Sequence, residues 1–534
     1  MSMQVVHIKD VQALIVKGKK GDAHAWHQAR ELLNKLISAQ PKNVMLLYLL
    51  ACMHLEEGNM GLATVLLERC VQLEPKTRDA WSALTIGYRR EGFREDAMRC
   101  IGEALKLDPN DADALNNAGS LWINEGCPEK AIEVLSKAAK VSPGHSHARW
   151  NLGLALLEAE DWEQGFKNYT WGLRTNDRFN KQYGGAQWWH GEKCKTLAVY
   201  DEQGVGDSVM FMSVLPDLHE SGLVDHIIFD CHPRFEALAR RSFPFAESFG
   251  TRKEIENEVH WLKPMEAKYG PIEYKTSIAE LCVHFRKDEA SFKKRSKGYM
   301  KPNMELVERY DAMIKRELNS RKVILISHVG GHKKTRKDVR SIPLDTWVPF
   351  FKAHPDAVFV SCDYSNRDEE YAKLYKDHGV QVLLLPQVFE ADRYQSWAVL
   401  DPNGQEVCVC KEKDAAKVIK SKLAGSTLRH DTGPGYDLDD FFAFLVALGL
   451  NGGLVVTVNN STVHFAGSLG VPCYTLTPKA CAWRYGTSRE DMVWYDSVRQ
   501  FRQDPEAGWA PTFERLSEEV KSFFGEDVAK GEAA

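Results

Sequence analysis

A 34-residue period is the sequence feature that most restricts how this chain can fold. The prolines that recur at this spacing are Pro41, Pro75, Pro109 and Pro143. The small residues that keep the same period are Ala29, Ala63, Ala97 and Ala131, continued by Gly165. A small residue lets two helices approach closely, and a proline ends the second of them. We therefore expect about four and a half antiparallel helix pairs between roughly residues 10 and 175.

Large side chains recur at matching positions within these pairs. Trp81 corresponds to Leu115, and Tyr88 corresponds to Trp122. The segments WSALTIGY and ALNNAGSLW resemble the tetratricopeptide repeat (TPR) family, which implies an α-helical solenoid. The first pair departs from the pattern, as the capping repeat of a solenoid often does.

Composition sets the wider limits. With 534 residues the chain is too long for one core, so two to four domains are expected. A net charge of −5 does not indicate binding to nucleic acid or to an anionic membrane. No apolar run reaches about 18 residues, so we expect no membrane span. The start lacks a signal-peptide pattern, and the 12 scattered cysteines are typical of a reducing, cytoplasmic location.

The helical period stops after about residue 175. The apolar run TLAVY then predicts a buried strand, and SVMFMSVLPDL predicts a helix. Between them the turn DEQGVGDS contains Gly204 and Gly206, and such a turn can present N–H groups to an anion. The alternative is a tight turn that Asp207 caps without binding any ligand.

Two further strand-to-helix junctions follow. VILISHVGG leads into a loop that carries Lys333, Lys334 and Arg336, which suit a nucleotide diphosphate or form a solvated loop. GLVVTVNN leads into a helix start whose hydroxyls and N–H groups also suit a diphosphate. The candidate residues there are Asn460, Ser461, Thr462, His464 and Gly467. His464 alone would more often be a core histidine.

These motifs resemble bacterial TPR-containing glycosyltransferases related to the ADP-heptose:lipopolysaccharide heptosyltransferases, and the layout is similar to that of O-GlcNAc transferase. The matching segments are 188–191, 202–207, 459–470 and 482–503. The resemblance implies a TPR solenoid followed by an α/β GT-B fold of two Rossmann-like lobes. It implies a repeat array over 1–175, an acceptor lobe over 176–300 and a donor lobe over 301–534. The last has closing C-terminal helices and an insertion near 396–425, where a β-hairpin and a helix are expected.

The resemblance also implies a reaction. A sugar would pass from a nucleotide-sugar donor to a soluble acceptor with inversion, and no metal or other cofactor would be needed. Asp207 would be the base, with Glu202 as the second candidate. The acceptor-side turn would include Gln203, Gly204 and Gly206. The donor site would comprise Lys333, Lys334, Arg336, Asn460, Ser461, Thr462, His464, Gly467, Trp483 and Arg484. Asn459 stands where the family commonly has Asp, so this position carries no charge.

Several alternatives stay open. The TPR face makes a protein or peptide the preferred acceptor. A glycan-building enzyme is a second possibility, and the basic stretch from about 285 to 322 allows a nucleic-acid acceptor as a weaker one. A scaffold that carries a degenerate transferase domain is the non-enzyme alternative.

Overall fold

The computed structural model divides the chain into two compact units. One contains Met1–Ala159 and Lys167–Thr175, and the other contains Glu160–Phe166 and Asn176–Ala534. The structure describes residues 2–175, 178–251, 259, 261–293, 297–318, 322–331, 337–363, 367–385, 395–400, 406–410, 413–422, 427–432 and 438–531.

The first unit is built from antiparallel helix pairs. Its helices are α1 (Ser2–Lys19), α2 (Ala23–Ala39), α3 (Val44–Glu57), α4 (Met60–Leu73), α5 (Arg78–Glu91), α6 (Arg94–Leu107), α7 (Ala112–Asn124), α8 (Pro128–Val141) and α9 (Ser146–Glu158). Helix α10 (Trp162–Tyr169) lies at the division between the units. The period predicted that the first helix pair begins at about residue 10. It begins earlier, because α1 starts at Ser2.

The small residues of the period are where helices meet. Ala63, Ala97 and Ala131 are fully buried. A Cβ atom added at Gly119 would lie 2.3 Å from Cγ of Leu135, so only glycine lets α7 approach α8 this closely. The Trp81 indole donates a hydrogen bond to the carbonyl of Pro75 (2.8 Å), which links one pair to the next.

The second unit begins with a five-stranded parallel sheet. Its strands are β1 (Gln187–Trp188), β2 (Cys194–Tyr200), β3 (Val224–Cys231), β4 (Ala246–Gly250) and β5 (Tyr274–Ser277), in the order β1-β5-β2-β3-β4. The accompanying helices are α11 (Val205–Met212), α12 (Leu215–Glu220), α13 (Glu236–Ser242), α14 (Leu262–Tyr269), α15 (Cys282–Phe285) and α16 (Met304–Glu317). The predicted strand before Asp201 is confirmed as β2. The helix predicted over SVMFMSVLPDL is confirmed in part, because the structure divides this segment between α11 and α12.

The rest of the unit contains two sheets. Its strands are β6 (Lys322–Ser327), β7 (Ala357–Ser361), β8 (Val382–Leu384), β9 (Gln395–Leu400), β10 (Glu406–Cys410), β11 (Thr427–Thr432), β12 (Leu454–Val458), β13 (Cys473–Thr477), β14 (Asp491–Met492) and β15 (Tyr495–Arg502). Its helices are α17 (Lys337–Arg340), α18 (Leu344–Ala353), α19 (Asp368–His378), α20 (Lys413–Lys422), α21 (Leu438–Leu450), α22 (Ser461–Leu469) and α23 (Ala510–Gly531).

The larger of these sheets has seven strands in the order β14-β15-β13-β12-β6-β7-β8, and only β14 is antiparallel to its neighbour. The smaller is antiparallel, in the order β10-β9-β11. The hairpin and helix expected near 396–425 are therefore confirmed as β9, β10 and α20, while β11 was not predicted. The residues between β9 and β10, where the turn of this hairpin is expected, lie outside the described residues.

In each of the two larger sheets, the direction in which the chain adds successive strands reverses at one point. In the first sheet the chain moves outward from β2 to β4 and returns on the other side of β2 with β5. In the second it moves outward from β6 to β8 and returns beside β6 with β12. Open α/β sheets bind ligands beyond the carboxyl ends of the strands at such switch points. The two points fall at the glycine turn after β2 and at the helix start after β12.

Candidate functional site

Two of the three strand-to-helix junctions singled out in the sequence, the glycine turn and the start of α22, lie against each other. A Cβ atom added at Gly206 would lie 3.1 Å from Cα of Ser461 and 3.1 Å from Cδ2 of His464. The first turn of α11 therefore packs on the first turn of α22, and the missing side chain of Gly206 permits this close approach. The switch points of the first and second sheets are brought together here.

Asn460 organises the start of α22. Its side-chain oxygen accepts a hydrogen bond from the N–H of Thr462 (3.0 Å), which caps the helix. Its Nδ2 donates to the Ser327 hydroxyl (2.8 Å) and to the Val329 carbonyl (3.2 Å) at the end of β6. Asn460 thus joins the two strand ends that flank the second switch point.

Asn459 takes part in a buried polar network. Its Oδ1 accepts hydrogen bonds from the hydroxyls of Thr475 (2.9 Å) and Thr477 (3.2 Å). Its backbone carbonyl accepts one from Nη1 of Arg340 (3.1 Å). Asn459 therefore holds β12 to β13 through neutral hydrogen bonds.

Asp207 forms an ion pair with Arg484, which follows β13 in the chain. Both side chains are partly exposed, Asp207 by 25% and Arg484 by 15%. This ion pair links the glycine turn to the second sheet at the place where the two switch points meet. A substrate group could bind to Oδ1 of Asp207, the oxygen of this ion pair, only in place of Arg484.

The other residues of the glycine turn have structural partners. Glu202 is buried, and its Oε1 accepts from Nη2 of Arg178 (2.8 Å). Gln203 donates to Glu202 (3.3 Å), and the carbonyl of Gly204 accepts from the N–H of Ser208 (2.9 Å) at the start of α11. Glu202 therefore anchors the turn, whereas Asp207 faces the second sheet.

His464 lies in the interior next to Tyr495. Its Nδ1 is 3.1 Å from the Tyr495 hydroxyl, and burial, together with the nearby Arg484, holds the pKa of His464 well below its usual value. The imidazole is therefore neutral at pH 7. A Cβ atom at Gly467 would lie 2.4 Å from Cγ of Tyr495, so packing alone requires glycine there.

The remaining donor candidates differ in their surroundings. Thr462 is fully buried, with its hydroxyl 4.0 Å from Sγ of Cys362. Ser461 is partly exposed. Trp483 is buried, and its ring centroid lies 6.3 Å from that of Phe211 and 6.2 Å from that of Trp494. Lys333, Lys334 and Arg336 lie outside the described residues.

Arg340 is a cation at this site that was not among the predicted donor residues. It bonds to the carbonyl of Asn459 and, at 3.5 Å, to that of Gly330, and so lies between the ends of β6 and β12. Its position in the sequence, just before the start of α18, was the available signal.

The basic stretch from about 285 is partly internal, because Arg286 is buried in an ion pair with Asp217 (2.7 Å).

The part of the chain that the structure describes has neither a metal-binding cluster nor a membrane-spanning helix. No group of three or more His, Cys, Asp or Glu side chains there could hold a metal ion. In the same residues, no helix is both long and apolar enough to cross a membrane.

A protein-family comparison matches the repeats. Residues 86–144 and 123–165 match the family described as tetratricopeptide repeat. The N-terminal helical region therefore contains TPRs.

One curated relative extends beyond the repeats. Protein FlbA of Caulobacter vibrioides (strain ATCC 19089 / CIP 103742 / CB 15) is 26% identical over 368 residues, which are 68% of this chain. The 368 matched residues outnumber those of the first unit, so the match extends into the second unit. The chain spans about half the length of this relative, with 52% of it covered.

Three solved structures similar to this chain each cover about a third of it. The MamA protein is 22% identical, with 32% of this chain and 90% of that chain covered and a TM-score of 0.26. A thermophilic TPR protein from Thermus thermophilus, TTC0263, is 18% identical over 32% of this chain and 91% of that one, with a TM-score of 0.29. YrrB, a TPR protein described with an unusual peptide-binding site, is 16% identical over 32% and 84%, with a TM-score of 0.25.

Proposed function

We propose that the second unit is a glycosyltransferase that uses a nucleotide-sugar donor. The observation that supports this best is the close approach of Gly206 to Ser461 and His464 at the switch points of two parallel sheets. A GT-B fold, with an acceptor lobe over 176–300 and a donor lobe over 301–534, would create such a meeting of two ligand-binding edges. The repeats would present a protein or peptide acceptor.

The donor phosphates would bind at the start of α22. The positive end of a helix and nearby guanidinium groups both stabilise phosphate. Arg340 and Arg484 supply these groups, since both lie around this helix start. As the bond from the sugar to the leaving phosphate breaks, the negative charge that develops would be neutralised by these cations.

Arg484 would change partners when the donor binds. In the structure it is paired with Asp207, and an incoming phosphate would compete for it. Asp207 would then be free to accept the proton of the acceptor hydroxyl as its oxygen forms the new bond to the anomeric carbon. The reaction balances without a metal ion, because the proton goes to Asp207 and the electron pair goes to the leaving phosphate.

A thermal-shift series with UDP-, GDP-, ADP- and CMP-sugars tests donor binding. A donor that binds only the folded state raises its stability. The proposal expects at least one donor class to raise the melting temperature of the wild type and to raise that of Arg340→Met less. Lys352, an exposed cation on α18, supplies the control variant Lys352→Met. If no donor shifts the wild type, the proposal fails.

A TPR scaffold with an inactive second unit is the alternative. It is favoured by the partners of the two candidate bases, since Asp207 pairs with Arg484 and Glu202 with Arg178. The scaffold account expects a peptide to bind the repeat unit while no nucleotide sugar is consumed. Consumption of any donor with release of its nucleotide would rule it out.

A further inference from the structure

Residues 178–183 run along the carboxyl-terminal end of the first sheet. Arg178 contacts both strands that flank the switch point. Its Nη2 donates to Oε1 of Glu202 (2.8 Å), just after β2, and to the Ser277 hydroxyl (2.9 Å), the last residue of β5. Its Nη1 donates to Oε1 of Glu280 (2.8 Å), three residues further on. One guanidinium therefore joins the glycine turn to the neighbouring strand end.

The same segment contacts the outer strand ends through different residues. Lys181 Nζ lies 3.0 Å from Oδ2 of Asp230 in β3, and it donates to the Thr251 hydroxyl (2.7 Å) after β4. The Tyr183 hydroxyl donates to Oδ2 of Asp230 (2.5 Å). The contacts of Lys181 thus hold β3 and β4, whereas those of Arg178 hold the turn after β2.

The Arg178 contacts are buried. The side chains of Arg178 and Glu202 are 2% and 0% exposed, and that of Glu280 is 7% exposed. Burial raises the pKa of Glu280, and the charge of Arg178 opposes this rise. Two carboxylates at this depth need a shared cation, and a planar guanidinium can bond to both at once. A lysine ammonium has no such fixed fork.

We propose that Arg178 is a positioning residue for the transferase. Through its ion pair with Glu202, Arg178 fixes the position of the turn from Glu202 to Asp207. It thereby also positions the Asp207 carboxylate at the start of α22. This rests on the proposed function for its catalytic consequence. The segment 178–183 would accordingly be part of the transferase itself, although it directly follows the repeats in the chain.

The first test is amide hydrogen exchange on the full-length protein. Arg178→Lys keeps the charge but loses the fork, so exchange of a peptide covering 201–208 should quicken about tenfold or more. A peptide covering 454–469 should exchange as in the wild type. Lys181→Met removes the other buried cation of the segment and should leave exchange in 201–208 unchanged. Equal exchange of 201–208 in Arg178→Lys and the wild type would overturn the proposal, as would equal quickening in both variants.

The second test separates binding from turnover. Arg178→Lys should lower kcat about 10- to 100-fold, because a small misplacement of a reacting group is costly. Its affinity for the donor should stay within about twofold, since the donor binds at α22. Lys181→Met should retain kcat. An unchanged kcat in Arg178→Lys would overturn the positioning role, as would equal losses of kcat in the two variants. If the wild type consumes no donor, the proposed function fails, and the exchange test alone decides whether Arg178 holds the turn.

Discussion

Gly467→Ala is the substitution whose outcome the structure specifies most fully. The new methyl group would lie 2.4, 2.5 and 2.8 Å from three ring atoms of Tyr495. Unstrained carbon atoms meet at about 3.5–4.0 Å, so the ring would have to move by about 1 Å. Tyr495 is buried, and its hydroxyl lies 3.1 Å from Nδ1 of His464, which leaves little freedom for that movement.

The expected change in the free energy of unfolding is the sum of three contributions. Overpacking a filled core costs about 1–3 kcal/mol. Disturbing the hydrogen bond between Tyr495 and His464 costs about 1 kcal/mol more. Alanine is the better helix former by about 1 kcal/mol, which offsets part of this. We therefore expect Gly467→Ala to lower the free energy of unfolding by about 1–3 kcal/mol.

Gly525→Ala is the matched control. Gly525 lies inside α23 of the same unit, and a Cβ atom there would meet nothing within 4 Å. The same substitution should raise the free energy of unfolding by about 0.5–1 kcal/mol, because only the helix preference changes. Urea denaturation of both variants, followed by circular dichroism, measures the two effects. If both substitutions stabilise the protein, the packing role of Gly467 is refuted.

Three further predictions concern charged or titrating residues. Asp207→Asn should reduce turnover by about 100-fold or more while donor affinity survives, whereas equal loss of both would indicate a structural role. Arg340→Met should weaken the affinity for the donor by about tenfold or more in a calorimetric titration, and unchanged affinity would place the phosphates elsewhere. Burial, and then Lys521 and Lys322, lower the pKa of His354 to about 4. Because the unfolded state takes up this proton more readily, the wild type should lose about 2 kcal/mol of stability between pH 7 and pH 5 relative to His354→Phe, and parallel pH profiles would contradict this.

The repeats were predictable because their signal is local and periodic. Proline and alanine positions at one spacing determine where each helix ends and where two helices meet, and residues 86–165 match the TPR family. The strands before the glycine turn and before Asn459 were predictable for a similar reason, since each is a short apolar run next to a turn. Strand order was not readable from such runs, because it depends on which strand the chain returns to.

The partners within the site could not be read from the sequence. Asp207 and Arg484 are 277 residues apart, and no local pattern indicates that they pair. Glu202 stays the second candidate base, and its buried ion pair with Arg178 could not be predicted from the sequence. Gly467 stays a predicted donor contact, and its packing against the Tyr495 ring was not readable from the sequence. In each case the deciding contact comes from a distant part of the chain.

The most direct test of the transferase proposal is the release of nucleotide from nucleotide sugars by the full-length protein. Wild-type protein, Asp207→Asn and the control Lys352→Met are incubated with UDP-, GDP-, ADP- and CMP-sugars, and the free nucleotide is measured over time. We expect release from one donor class by the wild type and the control, and about 100-fold slower release by Asp207→Asn. No release from any donor, or equal release by Asp207→Asn and the wild type, would contradict it.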